Sequence, residues 1–398
     1  MFDAALLRAL PKTDLHVHLD GSLRLGTLIE LAAARGIDLP AQTEEGLCAT
    51  VFKPAYASLE EYLAGFAYTC AVLQDPESLE RAAYELAWDN IDEGVRYVEV
   101  RFAPQLHMHQ DFGYEDVLRA VDAGLARARS EHAKIAAAAH EPPFRYGIIV
   151  CALRYFDATF SRWYAQLCAV MQESPKSRVY GEAALQLARA AVRLRDAEGI
   201  PIVAFDLAGH EAGYPAGAYR DAFVHAHEYF LKRTVHAGEA YGPESIYQAI
   251  ADLNADRIGH GYHLFDADKI QAESIKDRDG YCEALAQYIA DRRTTIEVCI
   301  TSNLQTNPSI GGVENHAFRM MLDAKLSATL CTDNRLVSHT TVTREYELAT
   351  SAFSMTADQL RNTIIYGFKR SFYPGSYSEK RAYVRQIIDH YDAVIAAQ

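Results

Sequence analysis

His16 and His18 stand two residues apart in the run "KTDLHVHLDG", inside an otherwise apolar segment. Successive side chains of a β-strand point to opposite faces, so a strand here projects both imidazoles together while Leu15, Val17 and Leu19 point the other way. Paired nitrogens suit a divalent metal if further ligands arrive from elsewhere; without them the two are ordinary hydrogen-bonded histidines. The ends of three later apolar runs offer those ligands. "VHAGE" supplies His236 and Glu239, "GHG" supplies His260, and "CTDN" supplies Asp333 and Asn334. Three imidazoles (His16, His18, His236) and the Asp333 carboxylate make a ligand set for Zn2+ with a position left for water, whose pKa the metal lowers from about 15.7 toward about 7. His260 and Asp333 are then placed to orient the hydroxide or take up its proton, and Glu239 to give a proton to the substrate. Each residue alone also has a structural reading: Asp333 as a helix N-cap, Glu239 as a first-turn acid complementing a helix dipole, His260 as a packed core histidine. At the matching ends of four strands, the group points jointly to metal-assisted hydrolysis.

Such residues need a scaffold that gathers distant segments. Eight β-rich apolar runs, at 13–20, 95–104, 145–154, 200–209, 233–239, 257–263, 295–303 and 327–334, alternate with amphipathic helical ones such as "SLERAAYELAWDNIDEG" and "YEDVLRAVDAGLARARSEHA". Eight buried strands, each followed by a helix, predict an α/β fold of the closed (β/α)8 TIM barrel type, in which the chemistry sits at the C-terminal strand ends. No GxGxxG follows a strand, which removes a dinucleotide-binding sheet. About 75 residues separate the first two strands. That is more than one crossover helix needs, and "ASLEEYLAGFAYTCAVL" predicts extra helices there, placed to act as a lid. Further helices are expected after the third strand and in the C-terminal tail beyond residue 355. With no linker and no repeat, residues 1–398 read as a single domain.

The formal charge is −14, from 39 basic and 53 acidic residues, with no Lys/Arg cluster of the kind that tracks a phosphate backbone. Nucleic acid and anionic membranes are thereby excluded as expected partners, leaving a small-molecule substrate and water. Seven cysteines, an odd number without a CxxC, read as reduced thiols of a cytoplasmic protein, and no apolar run of about 18 residues is present to span a bilayer. Barrel hydrolases with two metals bridge them through a carbamylated lysine on the fourth strand; "IPIVAFDLAGHE" contains no lysine, which predicts one metal. The H-x-E and P-C-x-x-C signature of the other zinc deaminase architecture is also missing.

In this order and over essentially the whole chain, "PKTDLHVHLDGS", "DLAGHE", "TVHAGE", "RIGHGYH", "IEVCITSN" and "TDN" resemble the adenosine deaminase family. The resemblance implies zinc-dependent addition of hydroxide at C6 of a purine with loss of ammonia, giving inosine from adenosine. By matching motif positions it implies that His16, His18, His236 and Asp333 hold zinc, that Glu239 protonates N1, and that His260 positions the hydroxide and stabilises developing charge. It further implies that His18 borders the substrate, that Asp20 meets the ribose 5′-hydroxyl, and that the Gly209 N–H meets purine N3. Asn334 departs from a commonly paired aspartate. Facing N7, an acceptor, an amide donates at any pH, whereas a carboxyl must first be protonated. His210 stands where an acid is usual, and reads as a loop change or a contact on the sugar side. Arg335 reads as an ion-pair partner or as a contact to an anionic substituent. The expected substrates are adenosine and 2′-deoxyadenosine, and the Asp20 carboxylate favours a free 5′-hydroxyl over a phosphate. The alternatives are a modified adenosine or 6-aminopurine (aminodeoxyfutalosine, adenine or a 6-methylated nucleotide) and a non-purine substrate of a mononuclear metal hydrolase.

Overall fold

The computed structural model describes residues 2–397. Its eight strands are β1 (Lys12–His18), β2 (Val95–Phe102), β3 (Arg145–Leu153), β4 (Ile202–Ala208), β5 (Lys232–Ala237), β6 (Arg257–His260), β7 (Thr295–Val298) and β8 (Ala328–Leu330). Each pairs in parallel with the next, in the order β1 to β8. The sheet closes just past β8, where the Asp333 N–H donates to the His16 carbonyl at 2.7 Å and the His18 N–H donates to the Asp333 carbonyl at 2.7 Å. This is the (β/α)8 barrel that the alternation predicts. Outward-facing apolar side chains such as Leu15, Val17, Val98 and Val100 are fully buried beneath the helices.

Each strand stops short of the end of its apolar run, and β6, β7 and β8 do so by three or more residues. His260 and Gly261 adopt left-handed φ values of 64° and 58°, which end β6, and Asp333, with φ 61°, turns the chain beyond β8. After β7 the segment "ITSN", read as strand, begins the helix Ile300–Thr306. The buried Glu345 carboxylate accepts from the Thr301 N–H at 3.2 Å at that helix's start, so a tertiary contact overrides the β preference of Ile and Thr.

The insertion between β1 and β2 contains helices Leu25–Arg35, Glu44–Thr50, Leu59–Leu63, Phe66–Val72 and Pro76–Ile91. Thr43, Ser58 and Asp75 cap three of them with side-chain oxygens. The run at 57–73, where extra helices are expected, forms two short helices that meet at Gly65, where a Cβ would stand 2.8 Å from the Phe52 ring. The insertion is tied over the barrel mouth to the loop after β8. Tyr56 donates to the Val337 carbonyl at 2.8 Å, and the Tyr62 hydroxyl meets Ser338 Oγ at 2.8 Å. At the opposite end, helices Ala357–Arg370 and Tyr377–Ala396 form the expected C-terminal tail. All seven cysteines are free, and among the described residues no helix is long and apolar enough to cross a membrane.

Candidate active site

The barrel gathers His16 and His18 from β1, His236 from β5 and Asp333 from the turn after β8, with one ligand atom of each within 4.8 Å of the others. The Nε2 atoms of His18 and His236 are 3.2 Å apart, and Asp333 Oδ1 lies 3.5 Å from His16 Nε2 and 3.4 Å from His18 Nε2. Ligands around tetrahedral zinc, at bond lengths near 2.0–2.3 Å, stand roughly 3.3–3.8 Å apart, so the cluster has the dimensions of such a site. Its protonation pattern fits as well. His16 Nδ1 meets Glu297 at 2.9 Å and His236 Nδ1 meets Asp206 at 3.1 Å, which places an N–H on each Nδ1 and a lone pair on each Nε2. His16 Nε2 is buried with no hydrogen-bond partner. Ser302 donates to Asp333 Oδ2 at 2.6 Å, leaving Oδ1 for the cluster.

Burial drives the pKa values of His18 and His236 below the usual imidazole value, keeping both neutral, the form that can hold a metal. Against the cost of burial, the surrounding imidazoles, His16 foremost, hold Asp333 far below the usual carboxylate range. His16 is drawn up by Asp333 and Glu297 in spite of its burial and of Arg101. The centre therefore attracts positive charge, as a cation-binding site must.

Beneath the cluster runs a ladder of buried charge. Arg101 on β2 bonds Asp206 on β4 at 3.0 Å and Glu297 on β7 at 2.8 Å, while Arg257 on β6 bonds the same Glu297 at 2.7 Å and also Glu99 on β2. The two carboxylates that orient His16 and His236 are thus themselves fixed by arginines. None of the five is among the residues singled out from the sequence. Their signal is a charge at every second place inside an apolar strand, as in "VEVRF", or a lone acid, as in "AFDLA" and "TIEV".

His260 projects from the end of β6, with Nε2 3.9 Å from Glu239 Oε1. A hydrogen-bond relay sets its tautomer. The Phe318 N–H donates to His316 Nδ1 at 3.1 Å, so His316 Nε2 carries the hydrogen and donates to Asn303 Oδ1 at 3.2 Å. Asn303 Nδ2 then donates to His260 Nδ1 at 3.1 Å, which leaves the hydrogen of His260 on Nε2. Burial holds His260 well below the usual imidazole value. A neutral His260 with an Nε2–H presents a donor, so of its two expected roles orienting an oxygen is available and taking up a proton is not. Replacing Asn303 by Leu removes the relay. We expect kcat to fall roughly 10–100-fold with metal content unchanged, and parental kcat in steady-state assays would show that the relay does not matter.

Glu239 lies in the loop after β5, and Glu211 shapes that loop. The Glu211 carboxylate accepts from the backbone N–H groups of Gly238, Glu239, Ala240 and Tyr241, at 3.0, 3.0, 2.6 and 3.0 Å. The acid expected in place of His210 is thus present one residue later, while His210 sits partly exposed with Nδ1 3.9 Å from Glu60. Burial, with the charges of Asp333 and Glu211, raises the Glu239 pKa to about 8; a divalent cation nearby draws it down.

His18, Asp20, Gly209, His236, Glu239, His260, Asp333 and Asn334 all border one cavity of about 790 Å³ under the insertion helices. His16 lies behind it, fully buried. Asp20 Oδ1 is buried without a partner, and Gly209 has φ 85°. Asn334 gives one amide hydrogen to the Tyr62 hydroxyl at 2.8 Å and keeps the other. Its Oδ1 leans over Gly21, where a Cβ would fall 1.9 Å away, so only glycine fits there. Arg335 is committed to Glu93 and does not border the cavity. The ion-pair reading holds, and the contact to an anionic substituent is not formed.

A family model described as adenosine deaminase matches residues 11–390. Adenosine deaminase 1 of Streptomyces coelicolor is 36% identical over 395 residues, spanning 96% of this chain and 87% of the relative. Among solved structures, adenine deaminase from Arthrobacter aurescens matches with TM-score 0.74 at 20% identity, over 96% of this chain and 99% of that one. An amidohydrolase from Burkholderia ambifaria, solved with bound zinc, matches with TM-score 0.77 at 18% identity, over 100% and 95%. At these identities the structural likeness speaks for the fold alone.

Proposed function

The chain belongs to the adenosine deaminase family and is a hydrolytic deaminase, and from that premise we propose that it converts adenosine and 2′-deoxyadenosine, with water, to the corresponding inosines and ammonia, using one zinc ion. We take residues 1–398 to act as one domain in the cytoplasm, a setting that the free thiols support.

The observation that carries the reading is Glu239. Glu239 is a second buried carboxyl beside the metal cluster, raised toward protonation, and a purine ring nitrogen must be protonated before C6 accepts an oxygen. Bound by His16, His18, His236 and Asp333, zinc would supply Lewis acidity and lower the pKa of water. The chain's residues do the rest. Glu239 gives its proton to N1, and the His260 Nε2–H holds the attacking oxygen on the C6 side of the ring. The Gly209 N–H is assigned to N3, the free amide hydrogen of Asn334 to N7, and Asp20 to the sugar 5′-hydroxyl. Leu63, Phe66, Tyr155 and Phe160 also line the cavity, whose volume leaves room for a bulky substituent, so a modified adenosine is the second reading.

Ammonia release by metal-analysed protein separates these readings. Turnover of adenosine and 2′-deoxyadenosine, abolished by a chelator and restored by zinc, is expected. Turnover confined to adenine, AMP or a 5′-substituted adenosine would overturn the assignment of the nucleoside while leaving the chemistry.

A further inference from the structure

We propose that Asp20, Cys70 and His107 form a second, weaker divalent-metal site, of mixed oxygen, sulfur and nitrogen ligation, whose occupancy competes with substrate. Asp20 follows β1, Cys70 lies on the helix Phe66–Val72 of the insertion, and His107 ends the turn after β2. One ligand atom of each lies within 4.8 Å of the others, and all three residues are buried. His107 Nδ1 stands 2.9 Å from the Leu73 carbonyl, which can only accept, so Nδ1 carries the hydrogen and Nε2 is a bare lone pair. That lone pair faces Asp20 Oδ2 at 3.9 Å, and neither His107 Nε2 nor Asp20 Oδ1 has a hydrogen-bond partner. The His107 Nε2 lone pair and Asp20 Oδ2 face each other beside a thiol, a pairing that is repulsive until a proton or a cation lies between them.

A cation of the zinc type answers that arrangement. Imidazole, thiolate and carboxylate are its usual donors, three of them leave a fourth position open, and a separation of 3.9 Å needs only a slight contraction to reach the roughly 3.3–3.8 Å of tetrahedral ligands. Binding breaks the S–H bond of Cys70, forms a metal–thiolate bond and releases the proton to solvent. Burial holds that thiol well above its usual pKa, so the proton leaves at a cost and the site binds more weakly at acid pH. The competition rests on the reading of Asp20 as the group that meets the sugar 5′-hydroxyl: a metal that takes Asp20 removes that contact. It also ties an insertion helix to the strand ends, because Cys70 and Asp20 belong to different elements.

Cobalt(II) titration of the metal-free chain under reducing conditions tests the site. The first cluster contains no cysteine, so the first equivalent is expected without a thiolate-to-cobalt charge-transfer band, and a second equivalent is expected with one. Cys70→Ala and His107→Leu should each abolish the band and the second equivalent while retaining the first. Binding of a single equivalent, or a band that persists in Cys70→Ala, overturns the site. With zinc, occupancy beyond one equivalent should raise the apparent KM for adenosine several-fold at unchanged kcat, and His107→Leu should remove that inhibition. A second equivalent that leaves KM unmoved overturns the competition. A band in a protein that turns over no nucleoside at one equivalent would support the metal site while refuting the proposed activity, so the two failures are distinguishable.

Discussion

Glu239→Gln is expected to lower adenosine turnover by about three orders of magnitude while metal content and purine affinity stay within a few-fold of the parent. The amide matches the carboxyl in shape, and the loop that carries it is held through backbone N–H groups by Glu211, which the substitution does not touch. What the amide lacks is a transferable proton. It can hydrogen-bond N1 but cannot protonate it. The parent should also lose rate as pH rises through the carboxyl's pKa, at or below about 8, since only the protonated form donates. The variant should show no such limb. Metal analysis, inhibitor binding and pH-dependent ammonia release check the three parts, and substantial residual turnover in the variant would refute the role.

Glu297→Leu should cost stability first and chemistry second. The carboxylate is shared by Arg101 and Arg257, accepts from Thr234 at 3.0 Å and orients His16 at 2.9 Å, all within the barrel interior. Its removal leaves two buried guanidinium groups short of a counter-charge, a defect that costs about 3–5 kcal/mol. His16 also loses its Nδ1 partner, for which a drop of about 10–100-fold in metal affinity is expected. Urea unfolding and competitive chelation measure the two effects. Thr234→Val is the control, removing one neutral contact to the same carboxylate at about 1 kcal/mol. A loss of similar size in both variants would mean that the ladder is not an electrostatic unit.

The ladder also shows where sequence reading stops. His16 is legible from its i, i+2 spacing to His18, and His236, His260 and Asp333 because each lies near the end of an apolar run and carries a recognisable donor. Glu99, Arg101, Asp206, Arg257 and Glu297 lie within strands, where a charge at every second position has the same pattern as a strand with one wet face. Only closure turns that face inward. Asn303 and Glu211 are hidden for a different reason. They act by orienting His260 and the Glu239 loop, so their value depends on partners more than 25 residues away in sequence. The misread strand ends at 261–263 and 299–303 follow from composition, since Tyr, Ile, Cys and Thr favour strands, while left-handed φ and a buried glutamate decide otherwise.

Asp333 is both a candidate ligand and the residue whose backbone joins the last strand to the first. It is made more than 300 residues after His16. A chain still on the ribosome therefore carries three imidazoles and no seam until β8 and the turn after it have emerged, and loop-closure entropy makes this a demanding contact to form. The fourth ligand arrives only when the cylinder shuts. Metal loading would then report that the barrel has closed, and fragments truncated before the final strand should remain both open and metal-poor.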